Sequence, residues 1–328
     1  MKELFKINLQ LFAEMNTNVT SDSGLSVEMK TFYDMTLIDE AQPNLVHDQF
    51  GQKRPIPANG GKKIEFRKFA SLPKALTALT EGVTPDGKKL TAEKIEAEVS
   101  QYGDYIVQSD VLELTSIDNT IVEATKVLGN QAGRTLDTIT RNILQSGTNV
   151  FYCPKGDGTA VDSRSTLDAT CKLTVDVVKK VVTILKRNNA PKINGDYVAI
   201  IHPDVSYDLM SDPAWIEAHK YAAPENIYEG EIGKIAGVRF VESSEAKIFE
   251  GGVYGCLFLA DGAYGVTEIT GGGLQTIVKQ KGSAGTADPL DQRSSIGWKA
   301  MKTAEILIEP YIVRVECKSA FSGDAKAN

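Results

Sequence analysis

The residues that could do chemistry are few and poorly spaced for it. Three histidines, His47, His202 and His219, lie far apart in the chain, and no H-E-x-x-H pair, Walker loop or EF-hand ligand series occurs. His202 with Asp204 and Asp208 offers three metal-ligating types close together, yet an Asp after His-Pro has the commoner task of capping the helix that follows. Cys153, Cys171, Cys256 and Cys317 include no C-x-x-C pair, which predicts isolated reduced thiols rather than a zinc site or a disulfide framework. Gly156-Asp157-Gly158 begins like a dinucleotide loop but lacks the third glycine and a preceding strand, so a turn is expected. Gly282-Ser283-Ala284-Gly285 is one residue short of a nucleophile elbow and gives Ser283 no claim to reactivity. Gly271-Gly272-Gly273 could cradle an anion, but a tight turn between strands explains it with fewer assumptions. Asp261, Asp288 and Asp291 beside the glycine loops are all that an enzyme or ligand-binding reading has, and solvated carboxylates account for them. Trp215 and Trp298 sit in apolar patterns and read as core anchors. No catalytic, cofactor-binding or metal residue is therefore assigned, no cofactor is expected, and the chain reads as a non-enzyme.

Composition narrows the classes further. The formal net charge is -7, and basic residues form only short pairs such as Lys62-Lys63, Lys88-Lys89 and Lys179-Lys180. A protein that grips nucleic acid concentrates Lys and Arg on one face to neutralise phosphates, so specific nucleic-acid binding is not expected. The longest fully apolar run, Cys256 to Ala260, is far too short to cross a bilayer. The opening MKELFKINLQLFAE has lysines and apolar residues, but Asn8 and Gln10 interrupt it and no small-residue cleavage site follows, so it reads as an amphipathic arm and not a secretion signal.

The elements that must carry any site are clearer. From Ser116 to Ser146, Ile117, Ile121, Ala124, Leu128, Ala132, Leu136, Ile139 and Ile143 recur at helical spacing, with Ser116 and a Thr120/Glu123 capping box at the start and Gly147 as C-cap. Such a helix would be a domain-wide spine, and Gly129 and Gly133 within it imply that something packs close to its backbone. Before it, Leu25 to Leu45 carries a shorter helical pattern. Lys62 to Ala70 alternates as a strand, and alternation resumes at Ile95, Ala97 and Val99 and runs through Tyr105 and Val107 after a loose tip. That is a long hairpin, and its open edges call for support from its own domain or from another subunit.

After the helix, 151 to 171 reads as an irregular loop and Thr174 to Asn188 as a helix closed by an Asn/Gly turn. Asp212-Pro213 opens a further short helix. Strands are expected at Tyr197–Ile201, Ile235–Val241, Val253–Ala260, Tyr264–Ile269, Leu274–Lys279, Ile296–Ile308 and from Tyr311 to Cys317. With no regular βαβ alternation, the class is α+β.

Four stretches together resemble the major capsid proteins of tailed bacteriophages, the Johnson-fold coat proteins. They are NLQLFAE from Asn8, YVAIIHPDVSYDLMSDPAWIEA from Tyr197, GEIGKIAGVRFVES from Gly230 and DPLDQRSSIGWKAMKTAEIL from Asp288. The resemblance implies an N-terminal arm at 1–50, an extended two-stranded loop at 51–108, a peripheral domain on the spine helix at 109–190 and 286–328, and an axial domain at 191–285. It also implies a major capsid protein that self-assembles, in hexamers and pentamers, into an icosahedral shell enclosing double-stranded DNA without binding it specifically. Scaffolding, portal and decoration proteins would be its partners, and no membrane. Assembly would take place in the bacterial host cytoplasm and end in the virion. Some members cross-link subunits through a lysine on the extended loop, where Lys74, Lys88 and Lys89 lie here, none of them assigned to that role. The alternatives are a cellular nanocompartment shell of the same fold and an unrecognised soluble enzyme.

Overall fold

In chain order the elements are β1 (Gln52–Lys53), β2 (Lys63–Phe69), β3 (Ala92–Glu98), β4 (Ser100–Ser109), α1 (Asp110–Thr115), α2 (Thr120–Leu144), β5 (Val150–Tyr152), α3 (Val175–Arg187), β6 (Tyr197–Ile201), α4 (Pro203–Met210), α5 (Pro213–Ala222), β7 (Lys234–Ile235), β8 (Val238–Glu242), β9 (Ile248–Phe249), β10 (Val253–Leu259), β11 (Tyr264–Glu268), β12 (Gln275–Lys279), β13 (Arg293–Ile306) and β14 (Ile312–Cys317). The computed structural model describes residues 37, 45–57, 61–69, 72–78, 81–82, 84, 86–116, 120–222, 233–268, 272–283, 285 and 288–328. Most of the expected arm and of the Leu25–Leu45 helix lies outside the described residues.

One sheet has the order β5-β14-β10-β6-β8-β7, with β9 beside β10. It is mixed: β10 runs antiparallel to β14 and β6, whereas β6 with β8 and β5 with β14 are parallel. Its central strands β6 and β10 are apolar almost throughout and buried at every position, as a strand covered on both faces must be. Helix α3 covers one face with Val175, Val178, Val182 and Leu185, the expected set, and adds Val177 and Val181. Asp212 caps two helices at once: its carboxylate accepts from Val175 N of α3 and from Ala214 N of α5, each at 2.9 Å. On the other face Val198, Ile200, Leu257, Leu259 and Ile312 meet Leu144, Ala263, Tyr264 and Ala304.

The second sheet is organised on β13. Strand β4 pairs with it from Ser109↔Arg293 to Ser100↔Lys302. On the other edge β12 and β11 lie end to end, both antiparallel to β13, over residues 295–299 and 302–306. The glycine triplet therefore does not reverse the chain: Gly272 O accepts from Met301 N at 2.7 Å and the ladder carries on past an interruption, with Gly271 outside the described residues.

Helix α2 is about 37 Å long at 1.5 Å per residue and bridges the two sheets. Leu128, Ala132 and Leu136 pack on Ile296, Trp298 and Ala300 of β13, while Leu144 at its end enters the core of the other sheet. Gly129 and Gly133 are buried within the chain itself. Gly147 does not have the positive φ of a left-handed cap and instead serves close approach, since a Cβ there would lie 3.2 Å from Glu309 Oε2 and 3.3 Å from Ile306 Cδ1.

The mixed helix and strand content accords with the α+β class. Sheet membership crosses the expected domain boundaries, because β11 and β12 pair with β13 while β5 and β14 join the seven-stranded sheet. The single strand expected at Ile235–Val241 is a tight hairpin, β7–β8, turned by Ala236 and Gly237 at φ 53 and 78, the positive angles of a two-residue turn. The expected irregular loop at 151–171 begins with β5. Alternation along β3 and β4 changes phase at the break after Val99. Ala97 and Val99 are buried, yet beyond the break Gln108 is buried and Ile106 packs inward, while Tyr105 and Val107 are exposed.

Candidate functional site

The hairpin β2–β3 pairs from Lys63↔Glu98 to Phe69↔Ala92, and among the described residues no third strand joins it. Alternation places Ile64 opposite Ala97 and Phe66 opposite Ile95 on one side. On the other, Glu65 faces Glu96, a like-charge pair that would weaken the ladder. Lys94 offsets it, hydrogen-bonded to Glu96 and 3.5 Å from Glu65 Oε1. The bond to Glu96 and the charge of Glu65 push the Lys94 ammonium above its ordinary range. A two-stranded ribbon is marginal in water even so. Beyond it the tip exposes Leu72, Leu76 and Leu90, Leu76 at 86%, together with exposed Lys74, Lys88 and Lys89. Helix α1 has no buried residue; Val111 and Leu114 are exposed on it.

The hairpin's base is fixed by glycines and a buried polar cluster. A Cβ on Gly265 would stand 2.8 Å from the Phe66 ring, and one on Gly51 2.6 Å from the Tyr264 ring, so each glycine lets an aromatic side chain lie against the backbone. Gln52 and Lys53 pair in parallel with Gly265 and Val266 of β11. The segment just before them is tied to α2: His47 N and Nδ1 each lie 2.7 Å from the Asp137 carboxylate. Thr140 donates to Asp48 at 2.6 Å, and Lys302 of β13 bonds Asp48 and, at 3.0 Å, Leu136 O. The Tyr264 hydroxyl donates to His47 O, and burial raises its pKa so that it remains a donor. His47, Asp137, Thr140 and Lys302 are all buried, so each depends on its hydrogen-bond partner. The residues from 45 to 54 are thus a strap clamped to α2, β11 and β13, with the hairpin projecting from it.

The residues singled out for chemistry do not converge. His202 is itself the N-cap of α4, its Nδ1 accepting from Asp204 N at 3.2 Å, so the capping role expected of Asp204 falls to the histidine. Asp204 instead accepts from the Tyr254 hydroxyl, and Asp208 pairs with Lys172 at 2.8 Å. His219 lies in α5 and His47 in the strap. Among the described residues no group of three His, Cys, Asp or Glu side chains is placed to hold a metal ion.

Asp261 precedes β11, whose first residue pairs with Ile306, whereas Asp288 and Asp291 precede Arg293 at the other end of β13. At about 3.3 Å per residue the two ends are roughly 40 Å apart, so these carboxylates share no site. Gly156 to Gly158 is a turn, with Gly158 N bonded to Lys155 O at 2.8 Å, and Ser283 Oγ donates to Gln280 O at 2.6 Å. Trp215 and Trp298 are core residues.

All four cysteines are free and buried, but not isolated from one another: Cys256 and Cys317 lie 3.9 Å apart, Sγ to Sγ. Burial pushes the Cys153 thiol well up, which keeps it protonated and unreactive. No described helix is long and apolar enough to cross a membrane.

Comparison with known proteins adds to this geometry. The sequence profile of the family described as Phage capsid protein matches residues 92–311. No curated protein matches the sequence. Among solved structures, the fold is similar to the capsid of cyanophage P-SCSP1u, with a TM-score of 0.65 and 14% identity over 84% of this chain and 89% of that one. The capsid of Ralstonia phage GP4 gives 0.64 and 14%, over 86% and 90%. A virus-like particle from Pyrococcus furiosus gives 0.52 and 11%, over 88% and 99%.

Proposed function

The chain belongs to the phage capsid protein family, and from that premise we propose that it is the major capsid protein of a tailed phage or prophage, assembling through its hairpin into the icosahedral shell that encloses double-stranded DNA. The observation that carries this reading is the hairpin itself. A two-stranded ribbon with leucines at its tip has no third strand among the described residues, and a neighbouring copy would supply the missing support. Many weak, repeated contacts of this kind stay reversible one at a time and become stable when summed over a closed particle. A formal net charge of -7 suits a wall that surrounds DNA without holding it.

On this reading the chain is structural and not catalytic. It forms hexamers and pentamers with itself and meets scaffolding, portal and decoration proteins during assembly in the bacterial host cytoplasm. Sheet membership supports drawing the peripheral unit around β13, β4, β11, β12 and α2, and the axial unit around the seven-stranded sheet and α3. Purified full-length protein, alone or with a scaffolding protein, should form capsomers or closed shells by electron microscopy. A stable monomer at high concentration, with the hairpin protected from hydrogen exchange, would overturn the proposal.

The likeness to a virus-like particle over 99% of that chain favours one second reading, a shell of the same fold serving as a cellular nanocompartment. Co-purification of a cargo enzyme, with no DNA inside the particle, would decide for it.

A further inference from the structure

We propose that the cavity beside β9 is a phosphate-binding site. On a chain of net charge -7, Arg164, Lys247 and Lys318 line one solvent-open cavity of about 690 Å³, together with Ser165, Phe249, Asn328 and one acidic side chain, Glu250. The wall behind it adds positive charge. The fully buried Glu316 takes Arg164 in a two-point pair, 2.7 Å from Nε to Oε2 and 2.6 Å from Nη2 to Oε1, and Arg314 Nε lies 3.0 Å from the same carboxylate. Four cations therefore face two side-chain carboxylates, Glu316 and Glu250, and the terminal main-chain oxygen of Asn328.

The cations also ring one aromatic side chain: the Arg164 guanidinium lies 3.6 Å from the Phe249 ring centre, Arg314 5.8 Å and Lys247 5.9 Å. Lys247 donates to a main-chain oxygen of Asn328, and Lys318 to that of Gly251. Burial and the fields of Arg141 and Arg164 hold the Lys247 ammonium below its ordinary pKa, as expected where positive charge is in excess.

A guanidinium and two ammonium groups converging on one space suit an anion with several oxygens, and the Asn328 oxygen on Lys247 is what such an anion would replace. The phosphate group could come from free phosphate or from the backbone of DNA. The site stands independently of shell formation.

The test is calorimetric titration of the full chain with inorganic phosphate at low salt, with chloride at matched ionic strength as blank, followed by competition with a short double-stranded DNA. Arg164 is left intact because it holds Glu316. Lys247→Gln and Lys318→Gln should each weaken phosphate binding about tenfold, the loss of one hydrogen bond to a charged group. Lys186→Gln, on the exposed side of α3, should leave it unchanged. Displacement of phosphate by DNA assigns the group to a phosphodiester, and failure to displace it assigns a free anion; both support the site. Absence of phosphate binding in the unaltered chain, or binding that survives the double substitution, overturns it. Shell formation is not read out, so failure here is distinguishable from failure of the capsid reading.

Discussion

The seven-stranded sheet and the hairpin β2–β3 are built from the same alternating strand pattern and end in opposite conditions. In the sheet, β10 is buried at all seven positions because the chain itself supplies α3 on one face and Leu144, Ala263 and Tyr264 on the other. In the hairpin only the base is covered, chiefly at Phe66 and Ala97, and the tip leucines face solvent. The difference lies in where each apolar surface finds its partner: inside the chain for the sheet, outside it for the hairpin. Substitutions in the first region should therefore act on the folding of one subunit, and those in the second on association between subunits.

The largest effect should come from the clamp that joins them. Asp137→Ala removes the carboxylate that holds His47 and leaves two buried donors, His47 N and Nδ1, without an acceptor, which should cost about 1–3 kcal/mol of stability for each. Denaturant unfolding of the unassembled chain would measure it. A cost under about 1 kcal/mol would mean that the clamp is no tighter than a surface ion pair and would blur the division between the regions. Next in size is Gly265→Val, which drives a side chain into the Phe66 ring. Overpacking of this kind typically costs about 1–3 kcal/mol, and hydrogen exchange should rise in β2 and β3 while β6 and β10 stay protected.

The pattern of residues made part of this legible in advance. Helices α2 and α3 and the β2–β3 hairpin follow from spacing, because each shows one apolar face at its own period, and the central strands follow from unbroken apolar runs. The clamp was not legible. Asp137, Thr140, Arg141 and Gln145 recur at helical spacing and look like a solvated stripe, yet all four are buried, because polar partners 90 or more residues away reach them. Gly265 and Gly51 likewise read as ordinary strand and turn glycines until the ring above each is placed. The phase change after Val99 was hidden because periodicity carries no information about which partner a strand takes: Val99 N still bonds Lys62 O, and Ser100 begins the ladder with β13.

A smaller effect, confined to the sheet side, depends on pH. Burial lowers the His202 pKa below its ordinary 6.5, so the unfolded chain binds this proton more readily than the folded one. Stability is therefore present above that pH and falls as the solution is acidified through it. Protonation also removes the Nδ1 acceptor that caps α4. His202→Asn keeps a capping side chain and removes the titration, so its melting temperature should change less than the unaltered protein's between pH 7 and 5. Equal slopes would show that the sheet's acid sensitivity arises elsewhere.

The smallest expected effect on the subunit is the most informative. Leu76 is 86% exposed, and Leu76→Asp should leave the unfolding free energy of the single chain within about 0.5 kcal/mol, as for surface positions in general. If the tip seats against a second copy, the same substitution buries an unpaired carboxylate in every contact and should prevent closed shells or reduce their yield steeply. Sedimentation and micrographs of the variant, beside its unfolding curve, separate the two effects. Shells formed at ordinary yield would show that the tip leucines are not contact residues. A destabilised subunit would show that the hairpin is supported by its own chain after all, and the contrast with the seven-stranded sheet would then be one of degree.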